Sequence, residues 1–312
     1  MADRALGGAR RDPGPYSVTV TVDGLIVVDK PAGMTSHDVV ARVRRLARTR
    51  RVGHGGTLDP MATGVLVLGV NRATRLLTYV IGATKSYTAT IRLGESTITD
   101  DAEGEVTRRT STAAIGADAA RSALLAQVGE IDQVPSAVSA IKIDGRRAYK
   151  RVRDGEDVAL PARRITIERL VVTDVRPADH TLDVDIEVTC SSGTYVRAIA
   201  RDAGAALGVG GHLTALRRTA VGDLTLDHAS TLAELADRAP DVVGLSLAEA
   251  AKRAFPGRTA SAEEARVLSH GGPLSPAGID GPYAVFDPGG DVLAIVRERD
   301  GRARPEIVLA AS

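Results

Sequence analysis

Apolar residues near the start of the chain first alternate with polar ones and then form a continuous run. The alternation begins at residue 17, the run covers residues 25–28, and an Asp23-Gly24 pair separates the two. An Asp-Gly pair between two such segments is typical of a tight turn between strands. We therefore predict two strands within residues 17–29, followed by a break at Lys30-Pro31.

A helical pattern comes next, because Thr35 or Ser36 can cap a helix that runs to about residue 47. Its apolar positions recur at helical spacing: Val39, Val40, Val43 and Leu46. The same reasoning predicts strands at 65–70, 86–93, 165–175 and 182–189. It also predicts helices at 73–80, at 119–128 and from 194–199 to about 208, and a short helical stretch beginning around His212.

The pattern of predicted elements changes at about residue 231. Two alanine-rich helical segments, a helix at 261–269 and short strands at 283–286, 292–297 and 306–309 follow. Strands and helices mix without regular βαβ repetition, which favours an α+β (mixed α/β) fold with a mainly antiparallel sheet flanked by helices. We predict a flexible tail at 1–16, a main domain at 17–230 and a small C-terminal module at 231–312.

Composition is that of an ordinary globular protein of 312 residues, with 44% hydrophobic and 25% charged residues. Aromatic residues make up only 3% and tryptophan is absent, which argues against the aromatic stacking sheets of RRM-type RNA binders. The single cysteine, Cys190, excludes a disulfide scaffold and a cysteine-based zinc site. We interpret it as a buried, reduced thiol.

The N-terminal stretch lacks the apolar run of a signal peptide, and no apolar run is long enough to span a membrane. We therefore expect a cytoplasmic protein with no membrane partner. Its net charge is only +1, but basic residues cluster at 42–51 and 142–153. Such clusters indicate either a cationic face for a polyanion or a solvated helix face. The candidates for contact with a nucleic-acid backbone are Arg48, Arg50, Arg51, Lys142, Arg146 and Arg147.

Generic cofactor and metal signatures are missing from the sequence. There is no Walker loop and no HExxH motif, and Leu58 and Leu213 stand where a dinucleotide fingerprint needs its third glycine. We expect no cofactor and no metal.

The densest candidate for chemistry is the segment Gly53-His54-Gly55-Gly56-Thr57-Leu58-Asp59-Pro60. Its glycines allow a substrate to approach the backbone closely, and Pro60 restricts the conformation of Asp59. Such a loop can present the Asp59 carboxylate rigidly to a ligand. From spacing alone, the simpler interpretation is a structural turn in which Asp59 caps the next element.

Five motifs together resemble the TruB family of bacterial tRNA pseudouridine-55 synthases. In order they are 28–36 (VDKPAGMTS), 53–60 (GHGGTLDP), Ser86-Tyr87, 193–197 (GTYVR) and 212–219 (HLTALRRT). The likeness covers roughly residues 24–226. It implies a pseudouridine-synthase domain that isomerises uridine 55 in the T loop of tRNA without cofactor or metal. It also implies that the C-terminal module is PUA-like and binds RNA, and we expect the chain to act as a monomer.

The resemblance assigns a role to each matching residue of the site. Asp59 falls on the catalytic aspartate, and Arg197 on the arginine that pairs with it. His54 falls on the histidine that helps to displace the target base, and Lys30-Pro31 on a pair that supports the pocket. The residues that line the uracil pocket are Tyr87, Tyr195 and Leu216. By pattern alone, a place in the core is the simpler interpretation of each of these three residues.

One segment departs from the family pattern. Where the family usually has Pro-Pro and an aromatic residue after Gln, this chain has Gln133-Val134-Pro135-Ser136-Ala137-Val138. Ser136 and Val138 therefore leave the packing of this segment open.

Three other functions compete with this interpretation. The chain could be a non-catalytic tRNA-binding or tRNA-folding protein, or a pseudouridine synthase acting on another RNA. A small-molecule hydrolase with an aspartate nucleophile lacks a visible second carboxylate or triad. An aspartate paired with Arg197 argues against pure binding, because an unneeded buried carboxylate is a liability.

Overall fold

A single ten-stranded sheet organises most of the molecule. The computed structural model describes residues 22–136 and 160–310, together with the backbone of two short strands at 142–143 and 146–147. The strands of this sheet are β1 (Gly24–Lys30), β2 (Val52–His54), β3 (Thr63–Val70), β4 (Lys85–Leu93), β7 (Gly129–Gln133), β10 (Arg163–Ala178), β11 (Thr181–Cys190), β12 (Gly211–Val221), β13 (Leu224–Thr225) and β14 (Leu245–Ser246). Their order is β14-β1-β3-β12-β4-β11-β10-β7, with β2 beside β3 and β13 beside β12.

Neighbouring strands of this sheet are antiparallel, with one exception. Strands β3 and β12 run parallel and pair only at Arg217↔Thr63 and Arg218↔Gly64. The two halves of the sheet therefore meet over a very short contact. The fold class predicted from the sequence is confirmed.

Small elements lie outside this sheet. Strands β5 (Glu95–Thr97) and β6 (Val106–Arg109) form one hairpin, and β8 (Lys142–Ile143) and β9 (Arg146–Arg147) form another. Among the described residues, the α-helices are α1 (Ser36–Leu46), α2 (Leu77–Gly82), α3 (Ala117–Leu125), α4 (Val196–Ala206), α5 (Leu232–Asp237), α6 (Leu247–Ala254) and α7 (Ala262–Ser269). Turns of 3-10 helix cover Asn71–Leu76 and Leu226–His228. No helix among the described residues is long and apolar enough to cross a membrane.

Most predicted elements are confirmed. Helix α1 begins after Thr35, which forms a capping box with Asp38, and β3, β4, β10 and β11 lie where the apolar patterns place them. The predicted helix at 73–80 is instead a 3-10 turn followed by α2. The predicted strand before Asp23 and the tail at 1–16 lie outside the described residues.

The helical stretch predicted to begin at His212 is wrong. Residues 211–221 form β12, an inner strand that pairs with β4 along its length. Two irregularities, between Leu213 and Ala215 and between Arg218 and Ala220, interrupt the ladder. A bulge shifts the alternation of side chains by one residue, so the period of two that identifies a strand is absent from the sequence.

Helices cover the sheet on both sides. On one side α1, α3 and α4 pack on the apolar residues of β3, β4 and β11 in one large core. On the other side, Leu25, Val27, Val65 and Val67 of β1 and β3 pack against α6 and the C-terminal strands.

The last part of the chain forms a smaller sheet that docks on the first. This sheet contains β15 (Gly257–Thr259), β16 (Pro282–Phe286), β17 (Val292–Arg299) and β18 (Arg302–Val308). Arg72 donates to the Leu309 carbonyl (2.6 Å), and the Tyr79 hydroxyl donates to Glu306 (2.8 Å). Residues 232–254 follow the predicted boundary at 231, yet α5 and α6 contact β1, and β14 pairs with β1.

Candidate active site

The loop that carries Asp59 is held from two sides. The Ser36 hydroxyl at the start of α1 accepts from the Leu58 N–H (2.9 Å) and lies 3.1 Å from the Leu58 carbonyl. Lys30 Nζ donates to the carbonyls of Met34 (2.6 Å) and Pro60 (3.1 Å). Gly56 has a φ of +118°, a conformation that other residues rarely adopt. The backbone on both sides of the Asp59 carboxylate is therefore fixed.

Lys30 supports this loop from inside the protein. Its side chain is fully buried, and burial lowers the pKa of its ammonium group. A third hydrogen bond joins Nζ to the carbonyl of Pro31 (2.9 Å), whose own side chain is exposed. Both residues lie outside the lining of the cavity described below.

Arg197 brings two carboxylates together. Its Nε lies 3.1 Å from Oδ2 of Asp59, and its Nη1 lies 3.1 Å from Oδ2 of Asp101. Nη1 also donates to the carbonyl of Thr99 (2.7 Å). The side chains of Arg197 and Asp101 are 5% and 3% exposed, whereas that of Asp59 is 37% exposed. Asp59 is thus the member of this network that a ligand can reach.

Asp59 lies on a cavity of about 240 Å³. Four other residues proposed from the sequence line the same cavity: Tyr87, Tyr195, Arg197 and Leu216. Tyr87 is 8% exposed and comes from β4, whereas Tyr195 is half-buried and precedes the first turn of α4. Burial raises the pKa of Tyr87, so its hydroxyl is protonated at neutral pH and can donate a hydrogen bond. The cavity thus offers aromatic and aliphatic walls for a flat ring, with charged side chains beside them.

Two cations of this cavity were not identified from the sequence. Arg218 is 1% exposed and donates to the carbonyls of Val65 (2.7 Å) and Gly56 (3.1 Å). It therefore ties the Asp59 loop to β3. It belongs to the fifth sequence motif, and its position beside Tyr87 in the β12–β4 ladder depends on a pairing that the sequence pattern conceals.

Lys85 is the second of these cations. Its Nζ donates to the carbonyls of Ile81 (2.7 Å) and Ala83 (2.6 Å) at the end of α2. Burial and, to a smaller extent, the charge of Arg218 lower its pKa to about 8. Lys85 is the first residue of β4 and lies two positions before Tyr87, so the period of two could have placed it on the same face of the sheet as Tyr87.

His54 ends β2 at the entrance to the Asp59 loop. Its ring packs edge-on against His37 with 5.4 Å between centroids, and it does not line the cavity. Burial and the neighbouring His37 lower its pKa, so the ring is neutral at pH 7. Its Nδ1 is buried and has no hydrogen-bond partner among the described residues.

The candidate residues for nucleic-acid contact lie in two places. Arg48, Arg50 and Arg51 are exposed between α1 and β2, one short strand before the Asp59 loop. Lys142, Arg146 and Arg147 belong to the β8–β9 hairpin, whose side chains are outside the described part of the structure.

A larger cavity, of about 630 Å³, lies between the two sheets. Its walls are mostly apolar, among them Leu25, Tyr79 and Phe255, and none of the proposed site residues lines it. Within the described residues, no group of three or more His, Cys, Asp or Glu side chains could hold a metal ion.

Models of three protein families match the chain in succession. "TruB family pseudouridylate synthase (N terminal domain)" matches residues 44–196. "tRNA pseudouridylate synthase B C-terminal domain" matches residues 197–241. "tRNA Pseudouridine synthase II, C terminal" matches residues 255–310.

Curated relatives are similar over nearly their whole length. A protein of Arthrobacter sp. (strain FB24) named tRNA pseudouridine synthase B is 57% identical over 302 residues, 93% of this chain and 98% of that one. A protein of Thermobifida fusca with the same name is 56% identical over 294 residues, 93% of this chain and 99% of that one.

Solved structures show the same fold at lower identity. A chain of the archaeal box H/ACA sRNP Nop10-Cbf5 complex is 23% identical, with a TM-score of 0.68 over 95% of this chain and 88% of that one. A chain of a Cbf5-Nop10-Gar1 complex gives the same score and identity, over 92% of this chain and 85% of that one. With more than half of its residues identical to those of curated relatives along almost its full length, the chain belongs to the TruB family of pseudouridylate synthases.

Proposed function

We propose that this protein is a tRNA pseudouridine synthase that converts uridine 55 of the T loop into pseudouridine, with Asp59 as the catalytic residue. The names of its relatives support the reaction and the substrate. The observation that carries the proposal is the contact of 3.1 Å between Asp59 and the buried Arg197 at the wall of a cavity lined by two tyrosines.

The reaction requires a carboxylate and the movement of a proton. The bond between N1 and C1′ breaks, the uracil turns, and a bond from C5 to C1′ forms. C5 loses its proton and N1 gains one, so composition and oxidation state are unchanged. Asp59 can add covalently to C1′ or to C6 and depart again, or it can remove the 2′ proton. Each route uses the same carboxylate, and they are distinguished by whether an adduct with Asp59 forms at C1′, at C6 or not at all.

The surroundings of Asp59 fit these tasks. Arg197 compensates the charge of the carboxylate where it is partly withdrawn from water. The ring of Tyr87 can stack on the uracil, and its hydroxyl can relay a proton near C5. Tyr195 and Leu216 provide further walls for the base, while Lys30 and Arg218 hold the loop through its carbonyls.

The target base is stacked in folded tRNA and must turn out of the loop, at a cost of a few kcal/mol. His54 stands beside the Asp59 loop as a neutral ring that can occupy the vacated space. Arg48, Arg50 and Arg51 would contact phosphates and hold the RNA over the site.

The C-terminal module would add affinity for RNA without taking part in the chemistry. It exposes Arg266, Arg302 and Arg304, and all the residues proposed for catalysis precede it. We expect the protein to bind RNA as a monomer, which light scattering with and without tRNA would test.

Chemical mapping of pseudouridine tests this function directly. The full chain is incubated with a tRNA transcript and with a T-arm stem-loop, and the modified positions are read by carbodiimide mapping. Conversion at position 55 supports the proposal, and conversion at another position only, or in another RNA only, supports the nearest alternative. Tight binding without conversion supports a tRNA-binding protein instead.

A further inference from the structure

Gln133 is the last residue of β7, at one edge of the main sheet. Its backbone pairs with Arg163 of β10, and its side chain is 2% exposed. A buried amide on a paired strand has a fixed place. Ser136 and Val138, which depart from the family pattern, follow it within five residues, and the function proposed above gives Gln133 no role.

Both ends of the Gln133 amide bond to the backbone of Tyr195. The Tyr195 N–H donates to Oε1 (2.8 Å), and Nε2 donates to the Tyr195 carbonyl (3.2 Å). Tyr195 is extended, with φ −102° and ψ 105°, and it precedes α4 without any cap from its own side chain. The Gln133 amide thus pairs with Tyr195 as a neighbouring strand would.

Only an amide can make this pair of bonds. The extended backbone presents one donor and one acceptor, and the side chain of glutamine offers an acceptor and a donor at matching positions. A carboxylate would keep the first bond and oppose the Tyr195 carbonyl. An apolar side chain would leave the Tyr195 N–H without its partner and the Tyr195 carbonyl with only the Ala198 N–H (3.0 Å).

The residue held in this way belongs to the candidate active site. The ring of Tyr195 lines the cavity beside Asp59, and Arg197 follows it in the first turn of α4. A second contact secures the same segment, because Arg201 on α4 donates to the Val134 carbonyl (2.7 Å). The backbone beside Tyr195 is therefore set by β7 and not by α4 alone.

We infer that Gln133 is a positioning residue for pseudouridine formation: its side-chain amide fixes the backbone of Tyr195 and so sets the place of the Tyr195 ring against the base. This inference rests on the proposed function. A displacement of about 1 Å in an active site can lower a rate by about 100-fold. Gln133→Met should therefore reduce turnover about 10- to 100-fold and leave the Kd for tRNA within about twofold, because phosphate contacts dominate binding.

Gln127→Met is the matched control. The Gln127 amide also bonds to α4, donating to the Ile199 carbonyl (3.1 Å), but neither Gln127 nor Ile199 lines the cavity. Loss of this bond should cost stability and leave kcat near that of the parent protein. Thermal unfolding of both variants shows whether they are equally folded. Should Gln133→Met fail to fold, Gln133→Glu carries the same test, since it retains the bond to the Tyr195 N–H.

A double-mutant cycle separates positioning from general support. In a Tyr195→Ala background, the change Gln133→Met should lower kcat by less than about twofold, because the ring that Gln133 places is gone. An equal loss of kcat in both backgrounds overturns the inference, as does a folded Gln133 variant with the kcat of the parent. A parent protein that forms no pseudouridine refutes the proposed function instead, so the two failures are distinguishable.

Discussion

Asp59 and Asp101 contact the same guanidinium group, that of Arg197. Asp59 approaches it from the cavity and Asp101 from the protein interior. Asp101 is buried and approaches Nη1, whereas Asp59 is partly open to the cavity and approaches Nε. The Asp101 carboxylate also accepts from the N–H of Glu103 (3.1 Å), which fixes it in the loop between β5 and β6. The buried Asp101 therefore holds Arg197 in place, so that Nε of the guanidinium faces Asp59.

Asp59→Asn should abolish turnover and leave tRNA binding within about tenfold of the parent, or about 1.4 kcal/mol. The amide keeps the size of the side chain but is neither a nucleophile nor a base, whereas phosphate contacts supply most of the affinity. Single-turnover mapping of pseudouridine and filter binding measure the two quantities. Asp223→Asn, which alters an exposed aspartate paired with Arg253, is the control. A folded Asp59→Asn protein that converts uridine at the parental rate would exclude Asp59 as the catalytic residue.

Asp101→Asn should lower both stability and turnover. Hydrogen bonds to buried charged groups contribute about 1.5–3 kcal/mol each, and Arg197 would lose the charge of the partner that holds it beside Asp59. We expect urea unfolding to show a loss within that range and kcat to fall by at least about tenfold.

The exposed aspartate Asp132, which pairs with Arg164 at 3.4 Å, provides the matched control. Asp132→Asn should cost less than about 1 kcal/mol, because exposed ion pairs contribute little. Equal losses in both variants would show that the Asp101 contact has no special weight.

Local sequence patterns predicted most strands and helices of this fold but only part of its candidate active site. β3 is a continuous apolar run and β4 alternates strictly, so both could be identified from the sequence. β12 could not, since two irregularities break its alternation and its partner strand is distant in sequence.

The ion-pair network of Asp59, Arg197 and Asp101 could likewise be predicted only in part from the sequence. A carboxylate such as Asp101 has no periodic signature, and its burial depends on a hairpin that returns to α4. The likeness to a family placed Asp59 and Arg197 together, but neither Asp101 nor Arg218 followed from residue spacing.

Replacement of Arg48, Arg50 and Arg51 by glutamine should weaken tRNA binding and make log Kd less dependent on salt. The slope should fall by roughly one unit for each phosphate that the altered side chains no longer neutralise. All three side chains are exposed in the segment between α1 and β2. The matched control replaces Arg164, Arg169 and Arg176, which are already paired with carboxylates on the main sheet. An unchanged slope in the first variant would show that these three arginines form a solvated surface without a role in RNA binding.

Lys85 should make the stability of the protein depend on pH above neutrality. Its pKa is about 8 in the folded protein, compared with 10.5 for the free side chain, because burial disfavours the charged form. Between these two values the unfolded chain binds a proton that the folded chain does not, so the free energy of unfolding rises with pH across this window. Below pH 8 both states are protonated, and the cost of burying the charge is fully present.

Lys85→Met removes this titration. Between about pH 7.5 and about pH 9.5, the parent protein should therefore gain about 2 kcal/mol of stability relative to the variant. Cys190, whose pKa is raised by burial from 9.0 to about 11, remains protonated in both folded proteins and ionises in both unfolded chains, so its contribution is common to the two. Loss of the hydrogen bonds to Ile81 and Ala83 changes the free energy of unfolding of the variant by the same amount at both pH values. The difference between urea unfolding at the two pH values therefore reports the titration of Lys85 alone. If the stabilities of the two proteins run parallel with pH, the Lys85 ammonium titrates as it does in water, and its burial carries no electrostatic cost.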